Sequence, residues 1–364
     1  MSVRAMRRAW LVFGLTALLL AVGAYVAYRY ALRFQDRPAE SPGRRVKFTI
    51  GKGLAFPEVV RILQDQGLVS SAAAFRFYAN YKGQASKIRH GDYELSTSIT
   101  PRQLLSVLVT GVAAPQVTVL IPEGKNMLEV AELLDRAQVA SREGLLRQMR
   151  DPQLLRRLGI SGDTMEGYLF PDTYKMKAHS PPREVLEKLF ARHKRVYYQL
   201  CAAHPAQLKA LRKRLGWGQR EIVIMASIVE KETGQAGERP LIAGVFLNRL
   251  TLPGFSPKLL QTDPTIVYGC TVPDEKSEAC RKFEGRIRRI HLDDKENVYN
   301  TYKHLGLPPG PIANPGRAAL EAVFAPKKSR YLYFVSKNDG THHFSATRSE
   351  HEAAVNRYQR GGGG

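Results

Sequence analysis

Two glutamates, Glu230 and Glu232, close the apolar run IVIMASIVEKET at residues 222–233, and helical spacing separates them. At 100° per residue, Ile222, Met225, Ile228 and Val229 form one stripe, which Glu232 continues three residues after Val229. Glu230 falls on another side with Val223 and Ser227, and Lys231 lies roughly opposite the stripe. A carboxyl group placed where the pattern asks for a hydrophobe is poorly hydrated. Loss of water disfavours the charged form and raises the pKa. An acid still protonated near neutral pH meets the requirement of general-acid catalysis. The alternative for Glu232 is structural, as a helix-end residue or an arginine's partner, because buried ion pairs also perturb pKa values.

Cleavage of a glycosidic bond by water normally takes two carboxyl groups, about 5 to 9.5 Å apart. Glu230 diverges from Glu232 at a spacing of two on a helix, so Glu166, Asp172 and Asp263 are the candidates for a second carboxyl. They sit in polar-aromatic segments, EGYLFPDTY at 166–174 and QTDPTIVYG at 261–269; two more such segments lie at 299–316 and 338–347. Taken singly, Pro171-Asp172 and Asp263-Pro264 read as turns. Taken together with an acid on an apolar helix, the four segments read as a polysaccharide groove, since loops more often carry function than stability. Metal chemistry has no pattern here. His342 and His343 are adjacent and would face opposite sides of a strand, and His304 and His351 are isolated. Ser227 lacks the context of a serine nucleophile, and no glycine-rich phosphate cradle appears. Neither metal nor cofactor is expected.

The elements that must position these residues form an α+β chain. A strand at 46–50, helices at 56–66 and 71–81, a strand at 91–95 and a helix at 101–109 come first. The strand-turn-helix start recurs at a shift of 71, pairing Ile50 with Ile121, Gly53 with Gly124, Glu58 with Glu129 and Leu63 with Leu134. Helical spacing then covers 142–158 and 182–215, the Glu232 helix, and 238–250. The segments at 166–174 and 261–269 read as loops. The proline- and glycine-rich stretch 300–316 excludes regular structure. A helix at 317–324, a hairpin of 331–335 with 341–346 around Asn338-Asp339-Gly340, and a helix at 349–358 complete the chain.

Among 364 residues, 55 Lys and Arg against 33 Asp and Glu give a net charge of +22, which calls for an anionic partner. Nucleic acid has only this charge in its favour, since no zinc-finger or aromatic RNA-binding motif is present. The uncharged run from Ala9 to Tyr28 has the length of a membrane span, with Trp10, Tyr25, Tyr28 and Tyr30 near its ends. Arg4, Arg7 and Arg8 before it favour a cytoplasmic N-terminus; a cleaved signal peptide is the alternative. Of three cysteines, Cys270 and Cys280 flank a polar loop. They form a disulfide if this part lies outside the cytoplasm, or all three are thiols.

The ordered set EGYLFPDTY, MASIVEKET, VFLNRL, LQTDPTIVYG, YNTY, GLPPGPIANPG and YLYFV followed by HHF resembles the YceG-like endolytic murein transglycosylase family, over roughly residues 46–358. The resemblance implies a short cytoplasmic N-terminus at 1–8, a transmembrane helix at 9–29 and a linker at 30–45. A LysM-like module at 46–112, a mixed α/β catalytic domain at 113–360 and a disordered tail at 361–364 would follow. It implies a single-pass inner-membrane protein with its catalytic domain in the periplasm. The activity implied is cleavage inside peptidoglycan strands, between N-acetylmuramic acid and N-acetylglucosamine, with 1,6-anhydro ring formation. The family's catalytic glutamate falls on Glu232, in agreement with the helix argument. Gln261, Asp263, Tyr299, Asn300 and Tyr302 are expected to position substrate, and Glu230 to tune or orient Glu232. Cell-wall synthases, the penicillin-binding proteins, are the implied partners, and nucleic acid is not.

Overall fold

The computed structural model describes residues 3–111 and 116–360; the expected 112/113 boundary and the 361–364 tail lie outside the described residues. The chain divides into two compact units, one up to Ala114 and one from Pro115.

The first unit opens with helix α1 (Val3–Phe34). Among the described residues no helix is long and apolar enough to cross a membrane, so the span expected over 9–29 finds no support there. The uncharged run begins at Ala9, and the side chains of residues 1–13 are outside the described part. Farther along α1, Leu15, Leu18, Leu19 and Leu20 are exposed. Strand β1 (Arg45–Ile50) turns Val46, Phe48 and Ile50 inward by simple alternation. Helices α2 (Phe56–Asp65) and α3 (Ala72–Tyr81) follow, then β2 (Gly91–Ser96), antiparallel to β1, and α4 (Pro101–Thr110). On β2, Tyr93 stacks on Phe48 and donates its hydroxyl to the Arg89 carbonyl at 2.6 Å.

The second unit repeats this plan. Strand β3 (Gln116–Ile121) and helix α5 (Met127–Arg136) copy the limits of β1 and α2, with strands starting at 45 and 116 and helices ending at 65 and 136. Helix α6 (Arg142–Met149) and the added helix α7 (Pro152–Leu158) lead to β4 (Asp172–Lys177), antiparallel to β3. On β4, Tyr174 donates to the Phe170 carbonyl at 2.7 Å, the counterpart of Tyr93 and Arg89. The end of EGYLFPDTY is therefore a strand rather than a loop. Hydrogen bonding to a strand some fifty residues upstream overrides the local turn residues, as strand preference usually depends on its partners. The helical region expected over 142–158 breaks at Asp151, whose side chain caps α7. That over 182–215 breaks at His204 into α8 (Pro182–Ala203) and α9 (Pro205–Leu215), because Pro205 cannot continue a helix interior.

Helix α10 (Gln219–Glu232) is buried from Ile222 through Glu230. It is not the one-sided amphipathic helix read from the sequence, because α11 (Arg239–Thr251), α12 (Asp263–Thr271) and α15 (Arg317–Phe324) pack around it. The segment 261–269, expected as a loop, contains most of α12, with Pro264 in its first turn, where its missing N–H costs nothing. Between them, α13 (Glu278–Arg281) and α14 (Arg289–Leu292) belong to a small insert. The chain ends in the hairpin β5 (Tyr333–Ser336) and β6 (His342–Ser345), followed by α16 (Arg348–Val355).

Cys270 and Cys280 form a disulfide, which decides between the two readings of the cysteines. It belongs to a satellite core of Ile266, Cys270 and Cys280, against which Phe283, Ile287, Leu292 and Tyr302 pack. Closing so short a loop restricts the unfolded chain by about 2–3 kcal/mol in the chain-entropy picture. A Cys270→Ala, Cys280→Ala double variant is expected to unfold at correspondingly lower urea, and reductant should shift the parent toward it. A parent insensitive to reductant would contradict this.

Candidate active site

Glu232 is the last residue of α10, and Thr233 after it is already extended. A helix C-terminus carries partial negative charge, so this position favours a neutral carboxyl over an ionised one. The side chain is partly buried. Burial pushes its pKa up to about 7, and the charge of Asp263 pushes the same way. The Thr262 hydroxyl, which donates to Glu232 Oε1, opposes the rise, as do the charges of Arg249 and His342. The balance leaves a carboxyl group that is half protonated near neutral pH and still reaches solvent, which suits a group that must give and take a proton.

The neighbours are held by the backbone. Thr262 and Asp263 sit at the start of α12. The Gln261 N–H donates to the Thr301 carbonyl at 3.1 Å, and the Thr262 N–H to Thr301 Oγ1 at 3.0 Å. Gln261 takes a positive φ of 54°, a turn that carries the chain into the helix. Tyr302 donates its hydroxyl to Asp263 Oδ1 at 2.7 Å. Burial first, then that bond, raises the Tyr302 pKa far above the ordinary phenol range. Arg249, on α11, donates through Nε to the Leu332 carbonyl at 2.7 Å and through Nη1 to Leu260. Its guanidinium lies over Phe246, Phe255 and Tyr333. His342 is fixed by Glu238, which accepts from the His342 N–H at 2.9 Å and lies 2.7 Å from Nδ1.

Of the residues expected to serve the site, Asp263 and Tyr302 lie close enough to Glu232 for their charges to act on one another, Gln261 directly precedes Thr262, which bonds Glu232, and the others have partners elsewhere. Glu230 has partners of its own. Its carboxylate binds Arg239 Nη2 at 2.6 Å and accepts the Gly316 N–H at 2.9 Å, fastening α10 to α11 and α15. A side chain at Gly316 would have to displace the carboxylate of Glu123. Asn300 is fully buried, and its amide donates to the carbonyls of His291, Leu292 and Asp294. It shapes the turn that presents Tyr302 and has no surface for a substrate. Asp172 binds Arg192 at 2.7 Å. Glu166 is buried, accepting from the Met127 N–H and Asn314 Nδ2, both at 3.0 Å, and from Tyr268 at 3.2 Å. Burial pushes its pKa up to about 8. Tyr299 packs on Tyr268 beside it, with ring centroids 4.8 Å apart.

The sequence reading assigned no role to Thr262, Arg249, Glu238 or His342. Thr262 and Arg249 lie inside quoted motifs, LQTDPTIVYG and VFLNRL, and a buried arginine in an apolar helix was the signal that could have found one of them. Nothing local marks the Glu238–His342 pair, which spans 104 residues.

Residues 48–357 match the YceG-like family. The chain belongs to that family. An endolytic murein transglycosylase of Bacillus subtilis is 28% identical over 91% of this chain and 90% of its own length. Another, from Streptococcus pneumoniae, is 28% identical over 93% of this chain, which spans only 62% of that longer relative. The crystal structure of a YceG-like protein from Listeria monocytogenes aligns with a TM-score of 0.54 and 28% identity. It covers 86% of this chain and 99% of that one. Among the described residues no group of His, Cys, Asp or Glu side chains could hold a metal ion.

Proposed function

We propose that the protein is an endolytic peptidoglycan lytic transglycosylase, and that Glu232 is its catalytic acid and then its base. What carries this is a partly buried carboxyl that closes helix α10 and accepts from the Thr262 hydroxyl, in a chain of this family; burial raises its pKa. The protonated Glu232 gives its proton to the glycosidic oxygen as the C1–O4 bond breaks. Charge of oxocarbenium type builds on the muramic acid ring. The Glu232 carboxylate then takes the proton of the sugar's own C6 hydroxyl, and O6 bonds to C1. Glu232 ends protonated again and no water is consumed, so one carboxyl suffices. On this reading Asp263, held by Tyr302, supplies negative charge near the reacting ring, the exposed Gln261 meets the substrate, and Arg249 acts through its charge on Glu232.

The competing reading is hydrolysis, with Asp263 as second carboxyl, since its charge is felt at Glu232. Mass spectrometry of glycan strands digested by the purified protein separates the two. Ends lighter by one water, the 1,6-anhydro form, are expected; ordinary reducing ends would overturn the proposal. Because Glu232 must start protonated, kcat/KM is expected to fall as pH rises through about 7, approaching tenfold per unit above it. A rate that climbs between pH 7 and 9 would contradict the assignment.

Residues 9–29 are proposed as the single-pass inner-membrane anchor, on the uncharged run from Ala9 to Tyr28. The catalytic unit would then lie in the periplasm, consistent with the Cys270–Cys280 disulfide. The β1-to-α4 segment is proposed as a LysM-like glycan-binding module, and cell-wall synthases as partners that supply nascent strands; both rest on the family resemblance. A periplasm-active reporter fused after Arg360 is expected to be active.

A further inference from the structure

A cavity of about 230 Å³ opens near the end of α10 opposite Glu232. Arg220, in the first turn of that helix, lines it. Arg220 and Glu232 are separated by about 18 Å along the axis at 1.5 Å per residue, so the cavity is not the place where the bond breaks. Glu166, Tyr268 and Tyr299 also line it, with the Tyr268 hydroxyl bonded to Glu166. Its rim carries opposite charges, Arg220 and Arg150 against Asp163 and Asp274. Arg150 and Asp274 stand 3.4 Å apart and answer each other loosely. Arg220 reaches the Pro309 carbonyl through Nη2 alone, and Asp163 is exposed on the turn before Glu166.

The cavity shares its walls with the Glu232 site. Helix α12 carries Asp263 beside Glu232 and Tyr268 beside Glu166. The 299–302 turn presents Tyr302 to Asp263 and Tyr299 to the cavity. Helix α12 and the 299–302 turn thus contribute both to the surroundings of Glu232 and to the wall of the cavity.

We propose that the cavity binds a peptide substituent of the strand being cut, through two charged groups of that peptide, a carboxylate and an ammonium. Arg220 takes the carboxylate and Asp163 the ammonium, while the Tyr299 hydroxyl supplies a hydrogen bond to the peptide groups between. A lining that carries charges of both signs suits such a ligand better than a neutral sugar or a simple anion. This inference deepens the transglycosylase reading and rests on it for the source of the ligand.

Calorimetry of the full-length protein with a free stem peptide tests the binding without recourse to activity. The parent is expected to bind, and Arg220→Ala and Asp163→Asn to weaken binding at least tenfold. Binding of a single free amino acid as tightly as the peptide would overturn the assignment to a peptide, and no binding by the folded parent would overturn the site. Kinetics on peptide-bearing and peptide-free strands then locate the source. The parent is expected to show a KM about tenfold lower on peptide-bearing strands, with similar kcat. Asp163→Asn, on an exposed turn, should lose that preference and cut peptide-free strands at the parent's rate. Equal KM values for both strands would sink the inference and leave the transglycosylase reading standing. Failure to cut either strand would defeat that reading, while the calorimetry would still decide the pocket.

Discussion

Replacing Glu232 with glutamine is expected to lower the cleavage rate on peptidoglycan strands by about 10³- to 10⁴-fold, the upper part of the range for loss of a positioned acid–base group. The upper part applies because one residue would serve both proton transfers. Glutamine keeps the shape and the acceptor that Thr262 uses, so the fold is not disturbed. The stability change has the opposite sign. The native pKa of about 7 stands above the ordinary glutamate value of 4.5, so between these limits the folded protein binds more protons than the unfolded one. Wild-type stability from this group is present below about pH 4 and is lost as pH rises through 7. The glutamine variant escapes that loss. At pH 8 it is expected to be more stable by roughly 1–3 kcal/mol, discounted for partial exposure, and to match wild type at pH 4. Urea unfolding at the two pH values measures this. A variant that cuts normally defeats the assignment, and one destabilised at pH 8 defeats the picture of a desolvated carboxyl.

Arg239→Leu is expected to cost roughly 3–5 kcal/mol, the range for removing one member of a buried ion pair. The Arg239 and Glu230 side chains are 8% and 4% exposed, so no water replaces the lost partner. Burial already raises the Glu230 pKa, opposed by the Gly316 N–H and by Arg239. Without Arg239 the rise is larger, and the variant loses stability as pH climbs through the new value. It should therefore be least defective in acid. Adding Glu230→Gln should recover part of the loss, since a neutral amide needs no counter-charge. A small, pH-independent effect of Arg239→Leu would show that the pair contributes little. Such a result would also remove the ground for treating Glu230 as a fastener of helices and not, as the sequence suggested, a partner of Glu232.

How far the sequence was legible depended on the range of the interactions. The β1–α2 and β3–α5 units are set by alternation, caps and glycine turns within about twenty residues, and they appear where the spacing put them. Strand β4 was hidden because turn-forming residues precede it and its partner is β3, far upstream. Helix α12 was hidden by Asp263-Pro264, which reads as a turn and is in fact a helix start. The same distinction governs the site. Glu232 stands out from the helix period, although α10 is enclosed on all sides. Asn300 and Tyr299 share a motif with Tyr302, and only the fold shows that Asn300 turns inward to three carbonyls while Tyr299 faces another cavity. The Glu238–His342 pair joins α11's start to the terminal hairpin and leaves no local trace.

The claim on which the chemistry depends is that Glu232 keeps its proton at neutral pH. Carbon-detected NMR of the side-chain carboxyls, with the Glu232 resonance assigned by its absence in Glu232→Gln, measures this directly. The titration midpoint is expected near 7. A midpoint near the ordinary value of 4.5 would mean that the site has no proton to give.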